Sequence, residues 1–210
     1  EIAQANHDQQ SEIKALNNLG QAYYFVREYP KAIENCERAL FLADKHQDVH
    51  GVSVALTNLG LISYAIGEFK PAIHYSKTAL DIVKSTKDRE GEATLLGNLA
   101  VTYGVLRNYK KTIEYSQEQL EIDQEIGFRK DEGNALGNLG NAYTALGNYT
   151  KAIEYHLKQL KLSKEIKSFQ GEGNALGNLG NAYDGLKDYS MAVNYYQQQL
   201  AILRKIGDRR

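Results

Sequence analysis

The chain repeats itself every 40 residues, and this period constrains its fold more than any motif within it. Asn18-Leu19-Gly20 returns as Asn58-Leu59-Gly60, Asn98-Leu99-Ala100, Asn138-Leu139-Gly140 and Asn178-Leu179-Gly180 without drift. Tyr29, Phe69, Tyr109, Tyr149 and Tyr189 keep the same step, as do Leu40, Leu80, Leu120, Leu160 and Leu200. A fixed period in this range means stacked supersecondary units, each too small to bury its own apolar face. Stability then accumulates repeat by repeat, with no single central core. Copy boundaries fall at residues 9–48, 49–88, 89–128, 129–168 and 169–210, with 1–8 as the end of a preceding repeat's second helix. Ile2, Asp8 and Gln10 are in phase with Ile202, Asp208 and Arg210, which reads as one segment of a longer array.

Within a copy, apolar residues recur at helical spacing in two blocks. In the fourth, Ala135, Leu136, Leu139, Ala142, Tyr143 and Leu146 form one stripe, and Ala152, Ile153, Leu157, Leu160 and Ile166 the next. Gly147-Asn148 separates them, a break short enough to make the two helices antiparallel. A second break falls at Lys167-Ser168, matching Lys87-Asp88, Gly127-Phe128 and Gly207-Asp208. Pro30 and Pro71 sit where second helices begin and a missing N–H costs little. No segment alternates with period two, so the expectation is all-α: five pairs of helices, each roughly 16–18 residues and about 25 Å long.

Leu16, Leu19, Gly20 and Tyr23, an aromatic ahead of Lys-Ala-Ile, and a later Leu resemble the tetratricopeptide repeat; Leu136, Leu139, Gly140 and Tyr143 are the cleanest copy. Ala32, Ala72, Ala152 and Ala192 match the small residue of its second helix, from which Thr112 departs. The usual tryptophan is Leu in all five copies, and the second small residue is Ala39 and Ala79 early but Gln119, Gln159 and Gln199 later. The closing proline is absent and the period is 40, a form similar to repeats of the Pins/LGN adaptor class and of cyanobacterial multidomain proteins. The resemblance implies a right-handed superhelical solenoid of antiparallel helix pairs whose first helices line a concave wall. It also implies a non-enzymatic module that binds a protein or peptide partner.

Four columns are identical in all five copies. Those of Leu16, Leu19 and Leu40 read as core; the fourth is Asn18, Asn58, Asn98, Asn138 and Asn178. Core packing does not ask for asparagine, whose helix propensity is mediocre. A carboxamide offers a donor and an acceptor, so a column of them on the concave wall suits the N–H and C=O of an extended peptide. The other reading is a staple, each Asn bonding to the neighbouring first helix. Gly97, Gly137 and Gly177 precede the Asn in the later copies, where a missing Cβ would let a ligand backbone come close. The Gly20, Gly60, Gly140 and Gly180 column instead suits close packing of the two helices.

Residues four before, one before, three after and six after each Asn share its face. They include Lys14, Asn17, Gln21 and Tyr24; then Val54, Thr57, Leu61 and Tyr64; then Thr94, Val101 and Gly104. Asn134, Asn141 and Thr144, then Asn174, Asn181 and Asp184, complete the stripe. With Lys14 and Asp184 as its only charges, it suits an extended internal segment with apolar anchors better than an acidic chain terminus. Five net hydrogen bonds of about 1 kcal/mol reach only the sub-millimolar range before peptide ordering is subtracted. Anchoring on Tyr24, Tyr64, Leu61 and Val101 is needed for micromolar affinity.

The net charge of −1, from 25 basic and 26 acidic residues, leaves no electrostatic footprint for nucleic acid or an anionic membrane. Cys36 is the single cysteine, which suits a reducing, cytoplasmic setting and reads as a small buried hydrophobe. His46 and His50 are four apart, but a helix break is expected between them, and two ligands without a third make no metal site. The Gly-Asn-Ala-Leu-Gly runs follow no strand and lead to no Gly-Lys-Ser, so no phosphate loop is expected. Glu92, Glu132 and Glu172 suit the positive ends of helix dipoles. With no nucleophile beside a base, no catalytic residue and no cofactor is expected. A regulatory or sensor domain of a larger enzyme or signalling protein is the second functional reading. A self-assembling scaffold is the third, through Leu200, Ile202, Leu203 and Ile206 left uncovered on the last helix.

Overall fold

The computed structural model describes the backbone of residues 2–207 and the side chains of residues 8–207. Asp208 and Arg210, and the side chain of Ile2, on which the phase of the chain ends partly rests, lie outside these residues. Ten helices and no strand occur among the described residues. They are α1 (Ile2–Phe25), α2 (Tyr29–Lys45), α3 (Val49–Ala65), α4 (Phe69–Thr86), α5 (Arg89–Val105), α6 (Tyr109–Ile126), α7 (Arg129–Ala145), α8 (Tyr149–Glu165), α9 (Phe169–Gly185) and α10 (Tyr189–Gly207). The fold is an all-α repeat solenoid. Where the repeat phase places a break near Asp8, α1 runs on as one helix of 24 residues.

The connections explain the regularity of the pairs. Before each new helix one residue adopts the left-handed conformation, and at most turns the side chain of the next caps the helix that follows; Glu28, Glu68 and Phe128 make no such bond. At Gly147 (φ 75°) the chain closes α7 with Asn148 N–H donating to the Tyr143 carbonyl at 2.9 Å and Gly147 N–H to Thr144 at 3.0 Å. Asn148 Oδ1 then accepts the Lys151 N–H at 3.3 Å, capping α8. Asp48, Asp88, Asn108, Ser168 and Asp188 cap in the same way. Glycine supplies the left-handed residue only at Gly67, Gly127 and Gly147; Arg27, Gln47, Lys87, Arg107, Lys167 and Lys187 take it at φ 56–62°. The two-bond closure and the cap outweigh the local cost.

The chain divides into two compact units, residues 1–102 and 103–210. In the first, α2 packs on both α1 and α3, α4 packs on α3, and α1 touches α3 directly. Second helices bury one narrow stripe, Ala32, Cys36, Ala39 and Ala43 on α2. First helices are buried on several sides, and α3 loses Ala55, Leu56, Asn58, Leu59 and Ile62 from solvent together. This is why polar residues on first helices do not mark a simple outer face. Ala32, Cys36, Leu59 and Ile62 form one core cluster beneath Tyr23, Tyr24 and Tyr29. A Cβ on Gly20 would meet the Cys36 sulfur and one on Gly60 would meet Ser76 Oγ at 2.9 Å, so this column permits close helix packing. The Cys36 thiol is fully buried and pushed up to about 11, chiefly by desolvation and secondarily by Glu37.

In the second unit α6 packs on α7, α7 on α8, α8 on α9 and α9 on α10. Leu160, Ala175, Leu176, Leu179 and Ile202 form an apolar cluster within it. Tyr143–Tyr155 and Tyr183–Tyr195 stack at 5.5 and 5.4 Å, with Lys151 over the Tyr143 ring, so these tyrosines are spent on pairing helices. Glu132 is buried and held by Arg129 at 2.7 Å and Gln124 at 3.1 Å; these partners add to the helix-dipole stabilisation. In the first unit Glu92 is held likewise by Arg89 at 2.7 Å.

Two titratable groups in the second unit are fully buried. Asp123 on α6 has no hydrogen-bond partner on either carboxylate oxygen by geometry and faces Asp131 and Glu132. Desolvation first, and then Asp131, push its carboxyl up to about 6, with Gln119 pulling the other way. His156 on α8 lies against Gly140 with Nδ1 3.4 Å from Gln159 Oε1 and Nε2 without a partner. Desolvation lowers it to about 4.

The last helix departs from expectation at two of four positions. Ile202 is buried and Ile206 packs on the same cluster, because both continue the Ala192–Tyr195–Gln199 stripe that faces α9. Val193, Tyr196, Leu200 and Leu203 form a second stripe one residue further round, and these are 53, 37, 48 and 46% exposed.

Candidate functional site

In the first unit two clefts of about 480 and 420 Å³ adjoin along the expected wall of first helices. The larger is lined by Lys14, Asn17 and Asn18 of α1 and Val54 of α3, together with Asp48 and His50. The other is lined by Val54, Thr57 and Asn58 of α3 and Thr94 and Leu95 of α5, with His50, Asp88 and Glu90. A third, much smaller depression joins Gln21 and Tyr24 to Asn58 and Leu61. Eight of the expected wall positions, Lys14, Asn17, Gln21, Tyr24, Val54, Thr57, Leu61 and Thr94, therefore line adjoining hollows around Asn18 and Asn58.

The asparagine column is not uniform. Asn58 is 9% exposed and its Nδ2 donates to the Asn17 carbonyl of the preceding first helix at 3.4 Å, which is the staple geometry. Asn17 continues it, donating to the Gly51 carbonyl at 3.5 Å. Asn18 is exposed, and Asn98, Asn138 and Asn178 are half-buried. Among the described residues the carboxamides of these four make no hydrogen bond, and they keep both donor and acceptor open. The staple geometry thus occurs at Asn58, and the carboxamides of the other four copies are left open.

The other expected positions also separate. Tyr24 and Tyr64 are half-buried and lean edge-on against Phe25 at 5.5 Å and Phe69 at 5.8 Å, and Tyr24 also meets Tyr29 at 6.2 Å. Leu61 is half-buried and Val101 is 39% exposed. Asn141 and Asn181 are exposed, and Asn181 Oδ1 accepts the Tyr196 hydroxyl at 2.8 Å.

The glycines before the asparagines have a different role from the one their position suggested. A Cβ on Gly137 would lie 2.7 Å from Gln159 Nε2, and one on Gly177 would strike Gln199. They make room for a glutamine from the second helix of the same pair, buried at Gln159 and half-buried at Gln199. The sequence carries this signal as an exchange of sizes: Asn17 and Thr57 stand opposite Ala39 and Ala79, whereas Gly137 and Gly177 stand opposite Gln159 and Gln199.

Sequence reasoning missed the charged end of the wall. His50, Glu90 and Gln10 stand eight residues before Asn58, Asn98 and Asn18, one helical turn beyond the last position considered. Asp48 and Asp88 are the caps of α3 and α5. Extending the i, i+4, i+8 stripe by one turn brings Gln10, His50 and Glu90 to the wall, and the two caps line the clefts beside them. The wall is therefore charged at its helix starts. His46 and His50 fall on either side of the α2–α3 turn.

No helix among the described residues is long and apolar enough to cross a membrane. Comparison with solved structures supports the architecture. BtubC from P. vanneervenii matches at TM-score 0.86 and 20% identity over 98% of this chain and 86% of its own. A signal transduction ATPase with numerous domains and a tetratricopeptide repeat sensor, from Pyrococcus horikoshii, matches at 0.85 and 21% over 93% of this chain. The chain spans 31% of that protein. A Rap protein complexed with competence and sporulation factor matches at 0.76 and 17%, over 99% of this chain and 59% of its own. No curated sequence matches. The tetratricopeptide repeat pattern itself matches residues 4–85, 91–165 and 131–205, nearly the whole length. With helix pairs, column chemistry and this match in agreement, the chain belongs to the tetratricopeptide repeat family.

Proposed function

We propose that this array is a non-catalytic protein-interaction module that holds an extended peptide along the first-helix wall. The observation that carries the reading is the pair of adjoining clefts sharing His50 and Val54, with Asn18 and Asn58 on their floor. An extended peptide needs backbone partners at intervals and pockets for alternate side chains, and this wall offers both. The likeness to a Rap protein complexed with a factor, and to a repeat described as a sensor, supports an interaction or regulatory setting.

The test is a peptide-display selection against the wild type, Asn98→Ala/Asn138→Ala and Asn58→Ala. The double variant should keep its helicity and lose selected peptides, since its carboxamides have no partners within the described residues. Asn58→Ala should lose about 1 kcal/mol of stability through its staple. Selection unaffected by the double variant removes the peptide wall as the binding site.

Self-association has one observation of its own. Val193, Tyr196, Leu200 and Leu203 are exposed on α10, whereas Leu80, Leu160 and His156 in the same columns are buried. A second copy could cover this stripe with α1, where Leu19 is 46% exposed although Leu59, Leu139 and Leu179 are buried. Sedimentation of Leu200→Glu beside the wild type tests it: a monomer at all concentrations in both ends this reading.

A further inference from the structure

We infer that the cleft between the starts of α3 and α5 is a subsite for a lysine or arginine side chain of the bound segment. The inference rests on the proposed wall and names the side chain that this part of it selects. The cleft, about 420 Å³, is lined by two exposed carboxylates, by largely buried polar side chains and by apolar ones. Asp88 and Glu90 supply the carboxylates. No lysine or arginine lines it; Lys84 and Arg89, beside it in the chain, reach Glu92 at 3.8 and 2.7 Å.

Two buried polar groups point to a ligand independently of the carboxylates. Ser53 lines the cleft at 7% exposure, and its hydroxyl has no hydrogen-bond partner among the described residues. Asn58 lines it at 9% exposure; its Nδ2 is used on the Asn17 carbonyl, and its Oδ1 is unpaired. The unpaired hydroxyl and amide oxygen of these largely buried side chains stay open to the cleft, and with two carboxylates they make a set of acceptors for a donor. Val54, Val83 and Leu95 supply apolar sides for a methylene stem. A long stem carrying a cationic, donor-only head fits that division, and an anionic or purely apolar side chain does not. Asp88 keeps its capping bond to Gly91 N–H at 2.9 Å, so the subsite is anchored to the helix start.

The test is an NMR titration of isotope-labelled protein with four probes. These are the Nα-acetyl N-methylamides of lysine, arginine, norleucine and glutamate. The lysine and arginine probes should shift the amides of Ser53, Gly91 and Thr94 and bind about ten-fold tighter than norleucine. Asp88→Asn/Glu90→Gln, in which asparagine keeps the cap, should abolish that preference with helicity unchanged. Glu90→Lys should make glutamate the preferred probe. Equal binding of norleucine and lysine, an unchanged preference in the double variant, or no shift at all would each overturn the subsite. The display selection separates this failure from failure of the wall. Peptides that need the asparagines but carry no basic residue sink the subsite alone. A lysine probe seated in the cleft with no peptide selected sinks the wall alone.

Discussion

Asp123→Ala should raise stability at neutral pH and change the shape of its pH dependence. Asp123 is fully buried, neither oxygen has a geometric partner, and its neighbours Asp131 and Glu132 carry the same charge. Its carboxyl is raised from 3.8 to about 6. A raised folded-state value means that the native state holds the proton more tightly than the unfolded chain. Its contribution is therefore fully present below pH 3.8 and is lost as pH rises through 6. At 1.36 kcal/mol per unit, the loss is about 3 kcal/mol at pH 7.5, of which about 2.5 kcal/mol develops above pH 4. Alanine is the residue at this register in the first copy, Ala43, so the helix accepts it. Removing the carboxyl leaves a small cavity costing about 1 kcal/mol. The expected net is a gain of about 2 kcal/mol at pH 7.5 and a loss near pH 4.

His156 makes the contrast sharper, because its sign is opposite. Burial lowers it from 6.5 to about 4, so its contribution is present above pH 6.5 and disappears as pH falls towards 4. Between pH 4 and 6.5 the two groups nearly cancel in the wild type. Urea unfolding followed by circular dichroism at pH 4, 5, 6 and 7.5 reads the result. Asp123→Ala should rise steadily in stability with pH. His156→Cys, which installs the residue that the first copy carries in this column at Cys36, should fall. Profiles parallel to the wild type would refute the reasoning, for they would mean that Asp123 ionises in the fold without cost.

Two further substitutions test packing and turns. Gly137→Ala should cost about 1 kcal/mol despite better helix propensity, because it drives the Gln159 carboxamide from its place. In a Gln159→Ala background, which restores the small partner of the first two copies, the same change should stabilise; equal effects in both backgrounds would contradict the size exchange. Arg107→Gly should gain up to about 1 kcal/mol by relieving a left-handed arginine, and Gly147→Ala should lose a similar amount, both read by thermal unfolding.

The proposed wall also has a consequence for how one repeat differs from the next. Its floor is nearly constant, while the column of Gln10, His50, Glu90, Lys130 and Gln170 at the helix starts changes charge along the array. Constant carboxamides suit any peptide backbone, whereas a varying rim chooses side chains. A ligand would thus be held by what the copies share and identified by what they do not.

The 40-residue phase, the alternation of two apolar stripes and the short breaks between them were enough to determine helices, pairing and family. Each is a local property: periodicity selects helix, a short break forces antiparallel return, and identical units must stack on one another. The asparagine column was visible for the same reason, since an unvarying polar residue stands out against five aligned copies. Its roles were not visible. Asn58 staples and Asn138 does not, because a 3.4 Å bond depends on the approach of two separate helices. Gly137 is small for Gln159, and Ile202 is covered while Leu203 is open, by the same logic. A one-residue difference in phase rotates a side chain by about 100°, and only the neighbouring helix decides which direction is buried. The unpaired Ser53 hydroxyl beside Asp88 and Glu90 is likewise a product of stacking: it joins residues far apart in sequence, and each alone is an ordinary helix-start residue.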